Sequence, residues 1–304
     1  MKIGVILPLD TGPGVADGPR YADIRALAVQ AERNGFDSIW VFDHLLYRFP
    51  DQPTSGVWEA WTMLSALAEA TATVELGTLV LCTAFRNPAL LAKMATALDE
   101  ISGGRLILGL GSGWHEPELT AFGMPTDRLA SRFAEALATI APLSRTGAVD
   151  VHGEYYQAVD CVDLPRGPRP GGPPLLVAAF GPRMLRLTAE YADAWNTAWL
   201  GMPTNLPKRL AEMRAACQEV GRDPATLATT VGVNVVFPDL GAQVEGDGDP
   251  DKALPGTEEA IAAGLAAYDA LGVAHVILSP EPNTQAAQAR LAEGLAAFRA
   301  GVGR

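Results

Sequence analysis

The segment of sequence that decides the fold runs from Val74 to Glu116 and reads VELGTLVLCTAFRNPALLAKMATALDEISGGRLILGLGSGWHE. Residues 74–81 are rich in branched apolar side chains, as in a strand that is buried on both faces of a parallel sheet. Asn87-Pro88 is typical of a helix start, and the glycine pair further on is typical of a helix end. Residues 106–110 are apolar again. The segment therefore predicts a strand, a helix and a second parallel strand.

The same alternation of strand and helix continues along the whole chain of 304 residues. Eight such units favour a closed parallel barrel over an open doubly wound sheet, which more often has fewer strands. We therefore predict an α/β fold of the (β/α)8 TIM-barrel type, formed by residues 1–304 as a single domain. The predicted strands are Ile3–Leu7, Ser38–Phe42, Leu76–Leu81, Leu106–Leu110, Leu175–Ala179, Ala194–Thr197, Thr230–Phe237 and Ala274–Leu278.

Two stretches interrupt this alternation. Residues 147–174 contain a strand-like segment at 152–156 and then a run rich in proline and glycine, so we expect an inserted surface excursion before the fifth strand. Residues 238–255 are polar and rich in glycine and aspartate. Their position after the seventh strand is compatible with a lid over the barrel mouth, and a plain solvated connection is an equally good interpretation.

The composition excludes several classes of protein. A hydrophobic content of 48% favours a large core, and a formal net charge of −12 argues against nucleic-acid binding. The three cysteines, Cys82, Cys161 and Cys217, have no paired spacing, which indicates a reducing compartment and no disulfide framework. No segment approaches the ~18 apolar residues of a membrane span, and the N-terminal run reads as a strand. We expect a cytoplasmic protein with no membrane partner.

Acid–base groups follow the second predicted strand as Asp43 and His44. An acid beside a histidine at the carboxyl end of a barrel strand can position and charge the imidazole for proton transfer. The alternative is an aspartate that caps a turn beside a surface histidine. The position at a strand end favours the interpretation of Asp43 and His44 as catalytic residues.

The loop after the fourth predicted strand holds Ser112, Gly113, His115 and Glu116. Gly113 lets the backbone approach a ligand closely, and Ser112 offers a donor and an acceptor. His115 and Glu116 are candidate acid–base groups, and they are equally well interpreted as part of the acidic first turn of a short helix. The glycine pattern lacks the third glycine of a dinucleotide-binding fingerprint.

The fifth predicted strand leads through Ala179, Phe180 and Gly181 into a helix that begins near Arg183. Small residues here leave backbone N–H groups open at a helix N-terminus, which favours an anion such as a phosphate. Arg183 adds a positive charge. A tight turn with proline at the helix start is an equally good interpretation of the spacing.

Metal catalysis is not predicted. The four histidines, His44, His115, His152 and His275, form no His-x-His or His-x-x-x-His pair. His275 begins the eighth predicted strand, so we expect it at the opposite end of the barrel from His44. A serine hydrolase is also not predicted, because the chain has no Gly-x-Ser-x-Gly motif.

Taken together, these motifs resemble the bacterial luciferase-like family of flavin oxidoreductases. Within that family the Gly-Trp-His-Glu sequence at 113–116 is most similar to members that use the deazaflavin coenzyme F420. The motifs that carry the resemblance are Asp43-His44, residues 83–88, residues 99–106, residues 109–116, residues 181–183 and residues 192–196.

The resemblance implies a barrel with an insertion, a homodimer, and a flavin or deazaflavin across the barrel mouth. Asp43 and His44 would approach the reactive centre of the ring, and Leu79 and Val80 would back it, often through a non-proline cis peptide. The other implied contacts are Ser112 and Gly113 to the ring or its side chain, and Ala179, Phe180 and Gly181 to the phosphate. Trp114 stands where sugar-phosphate dehydrogenases of the family have a glutamate, which argues against glucose 6-phosphate as the substrate.

The sequence therefore suggests three functions. The leading hypothesis is hydride transfer between coenzyme F420 and a small organic substrate, in which His44 exchanges the proton, Asp43 orients His44, and Glu116 or His115 is a reserve acid. The alternative is a monooxygenase that uses reduced FMN and oxygen, which the same fold supports. The third hypothesis is a flavin-binding protein without catalysis.

Overall fold

The computed structural model describes residues 1–12, 17–242, 249 and 251–302. Eight strands pair in parallel in the order of the chain, and the eighth pairs with the first, so the sheet closes on itself. This confirms the predicted TIM barrel. The barrel strands are β1 (Lys2–Ile6), β2 (Ser38–Val41), β3 (Glu75–Thr78), β4 (Leu106–Gly111), β5 (Leu175–Ala178), β6 (Ala194–Leu200), β7 (Ala228–Val236) and β8 (His275–Glu281).

Helices surround the barrel and cover its apolar outer face. The predicted start of the third helix is confirmed, because the side chain of Asn87 accepts hydrogen bonds from the backbone N–H groups of Ala89 and Leu90, at 3.0 and 3.1 Å. The helices are α1 (Tyr21–Arg33), α2 (Ala60–Ala70), α3 (Pro88–Ile101), α4 (Glu116–Ala121), α5 (Leu129–Thr146), α6 (Pro182–Tyr191), α7 (Leu206–Glu219), α8 (Glu258–Ala270) and α9 (Gln285–Val302).

The barrel interior is packed around the fully buried indole of Trp40. A Cβ atom on Gly77 would lie 2.1 Å from this ring, and one on Gly4 would lie 2.5 Å from its nitrogen, so both strands need glycine where they pass the indole. This packing fills the middle of the barrel, so a ligand inside the barrel can bind only at one of its two ends. The interior apolar residues are Ile6, Trp40, Leu79, Ile107, Leu176 and Ile277.

His275 lies at the amino-terminal end of the barrel, as predicted. Its Nε2 lies 2.7 Å from the hydroxyl of Ser38, which also accepts a hydrogen bond from the indole nitrogen of Trp40 at 2.7 Å. Burial lowers the pKa of His275 to about 3, so its imidazole is neutral. His275 is a satisfied core histidine and takes no part in the chemistry at the other end.

The third strand is shorter than the predicted Leu76–Leu81. It ends at Thr78, and a second short strand, Leu81–Cys82, pairs again with β4. The peptide bond between Leu79 and Val80 is cis and lies between the two pieces, as the family resemblance implied. Leu79 and Val80 therefore lie between the two strand pieces and belong to neither.

The insertion before the fifth strand is present, although one part of its prediction was wrong. Its strands are Ala148–His152 and Gln157–Val162, which pair as an antiparallel hairpin. Residues 153–156 form the turn of that hairpin and are not a strand. The carboxylate of Glu135 accepts hydrogen bonds from the backbone N–H groups of 154, 155 and 156, so these amides face a side chain and make no ladder bonds.

The predicted loop at 238–255 is described only in part. It begins with a single 3-10 turn at Pro238–Leu240 and ends at Leu254–Pro255, a short strand that pairs with β7. Residues 243–248 and 250 of this possible lid lie outside the described residues. No helix in the described part of the chain is both long and apolar enough to cross a membrane.

Candidate active site

A cavity of about 680 Å³ lies at the carboxyl ends of the barrel strands. Every barrel strand except β7, or the residues that directly follow it, contributes to the lining. This is the end at which TIM barrels carry their active sites. Of the residues selected from the sequence, the lining contains Asp43, His44, Leu79, Val80, Ser112, Gly113, Ala179 and Phe180.

The imidazole of His44 is fixed by a carboxylate that the sequence analysis missed. Nδ1 of His44 lies 2.7 Å from Oε1 of Glu118, and the other oxygen of Glu118 accepts a hydrogen bond from the backbone N–H of Leu45 at 2.8 Å. A carboxylate only accepts hydrogen bonds, so the proton of neutral His44 resides on Nδ1. Nε2 makes no hydrogen bond within residues 1–12, 17–242 or 251–302. This nitrogen is therefore left for a ligand in the cavity.

The role of Glu118 is not evident from the sequence, because Glu118 lies in a short helix whose position is set by the tertiary structure. Glu116 is the first residue of α4, and Glu118 is the third. A side chain in the third position of a helix can reach back over its N-terminus, and here it reaches the loop that follows β2. The available signal was the sequence Glu116-Pro117-Glu118, whose proline marks the helix start.

Asp43 does not orient His44, contrary to the hypothesis from the sequence. Its buried carboxylate accepts two hydrogen bonds from the guanidinium of Arg86, at 2.6 and 3.1 Å, and one from the backbone N–H of Cys82 at 2.9 Å. Arg86 also binds Glu59, which caps α2. Asp43 therefore joins the end of β2 to the Leu81–Cys82 segment and holds the floor of the cavity in place.

The two reserve acids proposed from the sequence lie outside the cavity lining. His115 is buried, and its Nε2 accepts a hydrogen bond from the backbone N–H of Arg48 at 3.0 Å. Burial lowers the pKa of His115, so it is a neutral acceptor that holds a loop. Glu116 is exposed in the first turn of α4, which is the structural alternative given above.

The segment from Ala179 to Arg183 turns from β5 into α6. Gly181 has a φ of +77°, a conformation that L side chains rarely adopt, and Pro182 is the first helical residue. Ala179 and Phe180 line the cavity, whereas Gly181 and Arg183 are not part of its lining. Arg183 donates a hydrogen bond to the hydroxyl of Ser131 at 3.0 Å. The open N-terminus of α6 thus lies next to the cavity, as the prediction of an anion site requires.

Asn196 on β6 brings an unpaired acceptor to the cavity. The hydroxyl of Thr230 donates to the carbonyl of Trp195 at 3.1 Å, so it must accept the 2.8 Å hydrogen bond from Nδ2 of Asn196. This fixes the orientation of the amide and leaves Oδ1 of Asn196 buried, with no partner in the described part of the chain. A buried acceptor without a donor costs about 1–3 kcal/mol, so a ligand that donates to it would be stabilised.

Cys82 also lines the cavity, and we expect its thiol to be unreactive. Burial raises the pKa of Cys82 to about 12, so hardly any reactive thiolate exists at pH 8. Iodoacetamide at pH 8 should therefore label Cys82 at least about 100-fold more slowly than the partly exposed Cys161, as followed by mass spectrometry. Equal labelling in denaturant is the control, and equal labelling of the folded protein would contradict the burial.

The fold and the site define a TIM-barrel protein that holds a histidine–carboxylate pair in its mouth. A sequence model of the luciferase-like monooxygenase family matches residues 1–247, and the chain belongs to that family. The resemblance found in the sequence is thereby confirmed.

Two curated relatives and one solved structure show how the chain compares with known proteins. It is 35% identical over 231 residues to a phthiodiolone/phenolphthiodiolone dimycocerosates ketoreductase of Mycobacterium sp. (strain JLS), covering 70% of this chain and 60% of the relative. It is 31% identical over 246 residues to an F420-dependent glucose-6-phosphate dehydrogenase of Amycolatopsis mediterranei (strain U-32), covering 79% of this chain and 69% of the relative.

The structure is similar to that of an F420-dependent secondary alcohol dehydrogenase in complex with an F420-acetone adduct. The TM-score is 0.80 at 20% identity, and the match covers 98% of this chain and 99% of the other. At this identity the likeness concerns the fold. The chain spans about 60% of the length of the ketoreductase relative.

Proposed function

We propose that this protein is an oxidoreductase that uses coenzyme F420 and exchanges a hydride with the carbonyl carbon of a ketone. The observation that carries the proposal is the His44–Glu118 pair, which presents Nε2 of His44 to a cavity at the barrel mouth. The sequence relatives support both halves of it, since one is described as F420-dependent and another as a ketoreductase.

The residues around the cavity fit a deazaflavin. Leu79, Val80 and Gly113 line the cavity and give a mostly apolar surface against which a flat ring can pack. The unpaired Oδ1 of Asn196 suits an N–H or O–H donor of a polar ring. The N-terminus of α6, next to Phe180, suits the phosphate of the side chain.

Coenzyme F420 supplies a hydride acceptor or donor that reacts poorly with oxygen, and the protein supplies the proton transfer. Protonated His44 would donate from Nε2 to the oxygen of a ketone, so that the carbonyl becomes an alcohol once its carbon has gained a hydride. Glu118 would stabilise the imidazolium and keep Nδ1 protonated throughout. The buried Asp43–Arg86 pair would hold the loop of His44 in place.

The second candidate is a monooxygenase that uses reduced FMN, which the description of the family supports. A proton donor at Nε2 of His44 would serve either reaction. A homodimer and a cytoplasmic location, both expected from the sequence analysis, stay proposals; sedimentation of the purified protein tests the first of them.

Titration of the purified protein with F420 and with FMN, each in both redox states, tests the proposed cofactor. We expect quenching of F420 fluorescence with a Kd at least about tenfold lower than that for FMN. Tighter binding of FMN, together with oxygen uptake in the reduced state, would replace the proposal by the monooxygenase. Binding of either ring without turnover on any acceptor would favour a non-catalytic flavin-binding protein.

A further inference from the structure

We propose that the substrate of this site is an uncharged ketone with a bulky apolar body, which packs against an aromatic surface beside His44. The inference rests on the proposed function and adds the chemical class of the substrate. It is carried by two independent features of the cavity, namely the exposed aromatic side chains at its mouth and the absence of lysine and arginine from the described residues of its lining.

The first feature is a continuous row of aromatic rings, here called the aromatic rim, formed by Tyr47, Phe49 and Trp114. The rings of Tyr47 and Phe49 are stacked at a centroid distance of 6.0 Å, and those of Phe49 and Trp114 at 6.5 Å. The rim encloses His44, whose ring centroid lies 4.5 Å from that of Tyr47 and 5.5 Å from that of Trp114. Tyr47 and Trp114 line the cavity together with His44, so a substrate beside His44 can contact both of these rings.

The rim is exposed although exposure of such side chains to water is unfavourable. Trp114 is 64% exposed and Phe49 is 41% exposed. Phe180 and Trp199, which also line the cavity, are 54% and 46% exposed. Exposed aromatic side chains that cluster around one cavity are typical of a surface that binds an apolar ligand.

The second feature is the charge of the lining. Its ionisable groups include the carboxylates of Asp10, Glu118 and Glu281, and no lysine or arginine is among the described residues that line it. Burial and the nearby Asp10 raise the pKa of Glu281. A raised carboxyl pKa means that the surroundings disfavour a further negative charge. The carboxylates of the lining would repel an anionic substrate, and no lysine or arginine among its described residues would pair with that charge.

The reaction with such a ketone balances without a further reactant. The carbonyl carbon gains a hydride from the reduced cofactor, the carbonyl π bond opens, and the oxygen gains the proton from Nε2 of His44. The ketone is reduced to a secondary alcohol and the cofactor is oxidised. The apolar body takes no part in these bonds, so its contacts with the rim affect binding and orientation.

Three methyl ketones separate size from charge: acetone, cyclohexyl methyl ketone and 4-acetylcyclohexane-1-carboxylate. With reduced F420, we expect kcat/KM for cyclohexyl methyl ketone to exceed that for acetone and for the carboxylate by at least about tenfold each. The variant Trp114→Ala should reduce the preference over acetone by about tenfold, while the Kd for F420 changes by less than about twofold. Phe122→Ala, which removes an exposed aromatic outside the cavity lining, is the matched control and should keep the preference.

Different results would contradict the proposed F420-dependent reaction and the proposed substrate class. Equal kcat/KM for all three ketones, or an unchanged preference in Trp114→Ala, overturns the inference and leaves the F420-dependent reaction intact. If reduced F420 is bound but no ketone oxidises it, the proposed reaction fails, and quenching of tryptophan fluorescence by cyclohexyl methyl ketone still tests the rim. Quenching that is equal for the carboxylate, or that is as strong in Trp114→Ala as in the wild type, then overturns the inference.

Discussion

Replacing His44 by alanine is expected to lower F420-dependent turnover by about 10²- to 10⁴-fold, the usual contribution of a positioned general acid. Nε2 of His44 is the nitrogen that the fold presents to the cavity, and the neighbouring His115 is buried with its own Nε2 occupied by the backbone N–H of Arg48. No other imidazole among the described residues lines the cavity, so no second histidine there can donate the proton in place of His44. The Kd for F420 should change little, as measured by fluorescence quenching.

The matched control is His152→Ala, because His152 is an exposed histidine of the hairpin inserted before β5 and is paired with Asp150. That variant should retain the wild-type rate. If His44→Ala turns over as fast as His152→Ala, the proton comes from another group, and the role given to His44 is wrong.

Glu118→Gln separates orientation from acid–base chemistry at His44. The carboxylate of Glu118 satisfies two donors, Nδ1 of His44 and the N–H of Leu45, and an amide has only one oxygen with which to do so. We expect a smaller loss of turnover than in His44→Ala. In ¹⁵N NMR spectra, His44 should change from the form protonated on Nδ1 to a mixture of both tautomers. An unchanged spectrum would show that Glu118 does not fix the imidazole.

The barrel was predictable because each of its strand–helix units is determined by residues that are close together in the sequence. Short branched runs, an asparagine–proline helix start at 87–88 and the regular return of strands are all features of adjacent residues. Since parallel strands of a barrel end at one face, the same reasoning correctly brought Asp43, Ser112 and Ala179 to one cavity. The third strand was predicted too long because the run of apolar residues continues past Thr78, where the observed strand ends.

The pairing of the charged groups was not predictable in the same way. Asp43 is adjacent to His44 in the chain, yet its partner is Arg86, and the partner of His44 is Glu118. Both pairs join loops that follow different strands, so only the closure of the barrel brings them together. The roles proposed for Glu116 and His115 were wrong for the same reason. Glu116 and Glu118 are two positions apart on α4, and the sequence alone does not show which of the two carboxylates faces the barrel mouth.

Arg86→Met is expected to produce a large loss of stability, about 3–5 kcal/mol in the free energy of unfolding at pH 8. Arg86 is the only guanidinium that hydrogen-bonds Asp43 in the described residues, and the carboxylate of Asp43 is fully buried. Removal of Arg86 leaves that charge with the backbone N–H of Cys82 alone. Urea unfolding at a series of pH values measures the effect.

The pH dependence and two further variants identify the cause of that loss. Burial raises the pKa of Asp43, and without Arg86 that pKa rises further above its unfolded value. A folded-state pKa above the unfolded one makes the protein lose stability as the pH rises through the folded-state value, so the defect of Arg86→Met should shrink from pH 8 to pH 5. Asp43→Asn with Arg86→Met removes both charges and should recover about 1–2 kcal/mol at pH 8. Arg128→Met, which breaks the exposed pair with Glu154, should cost far less stability than Arg86→Met. A loss that is independent of pH and unchanged in the double variant would mean that Arg86 stabilises the site through its packing, and not by compensating the buried charge of Asp43.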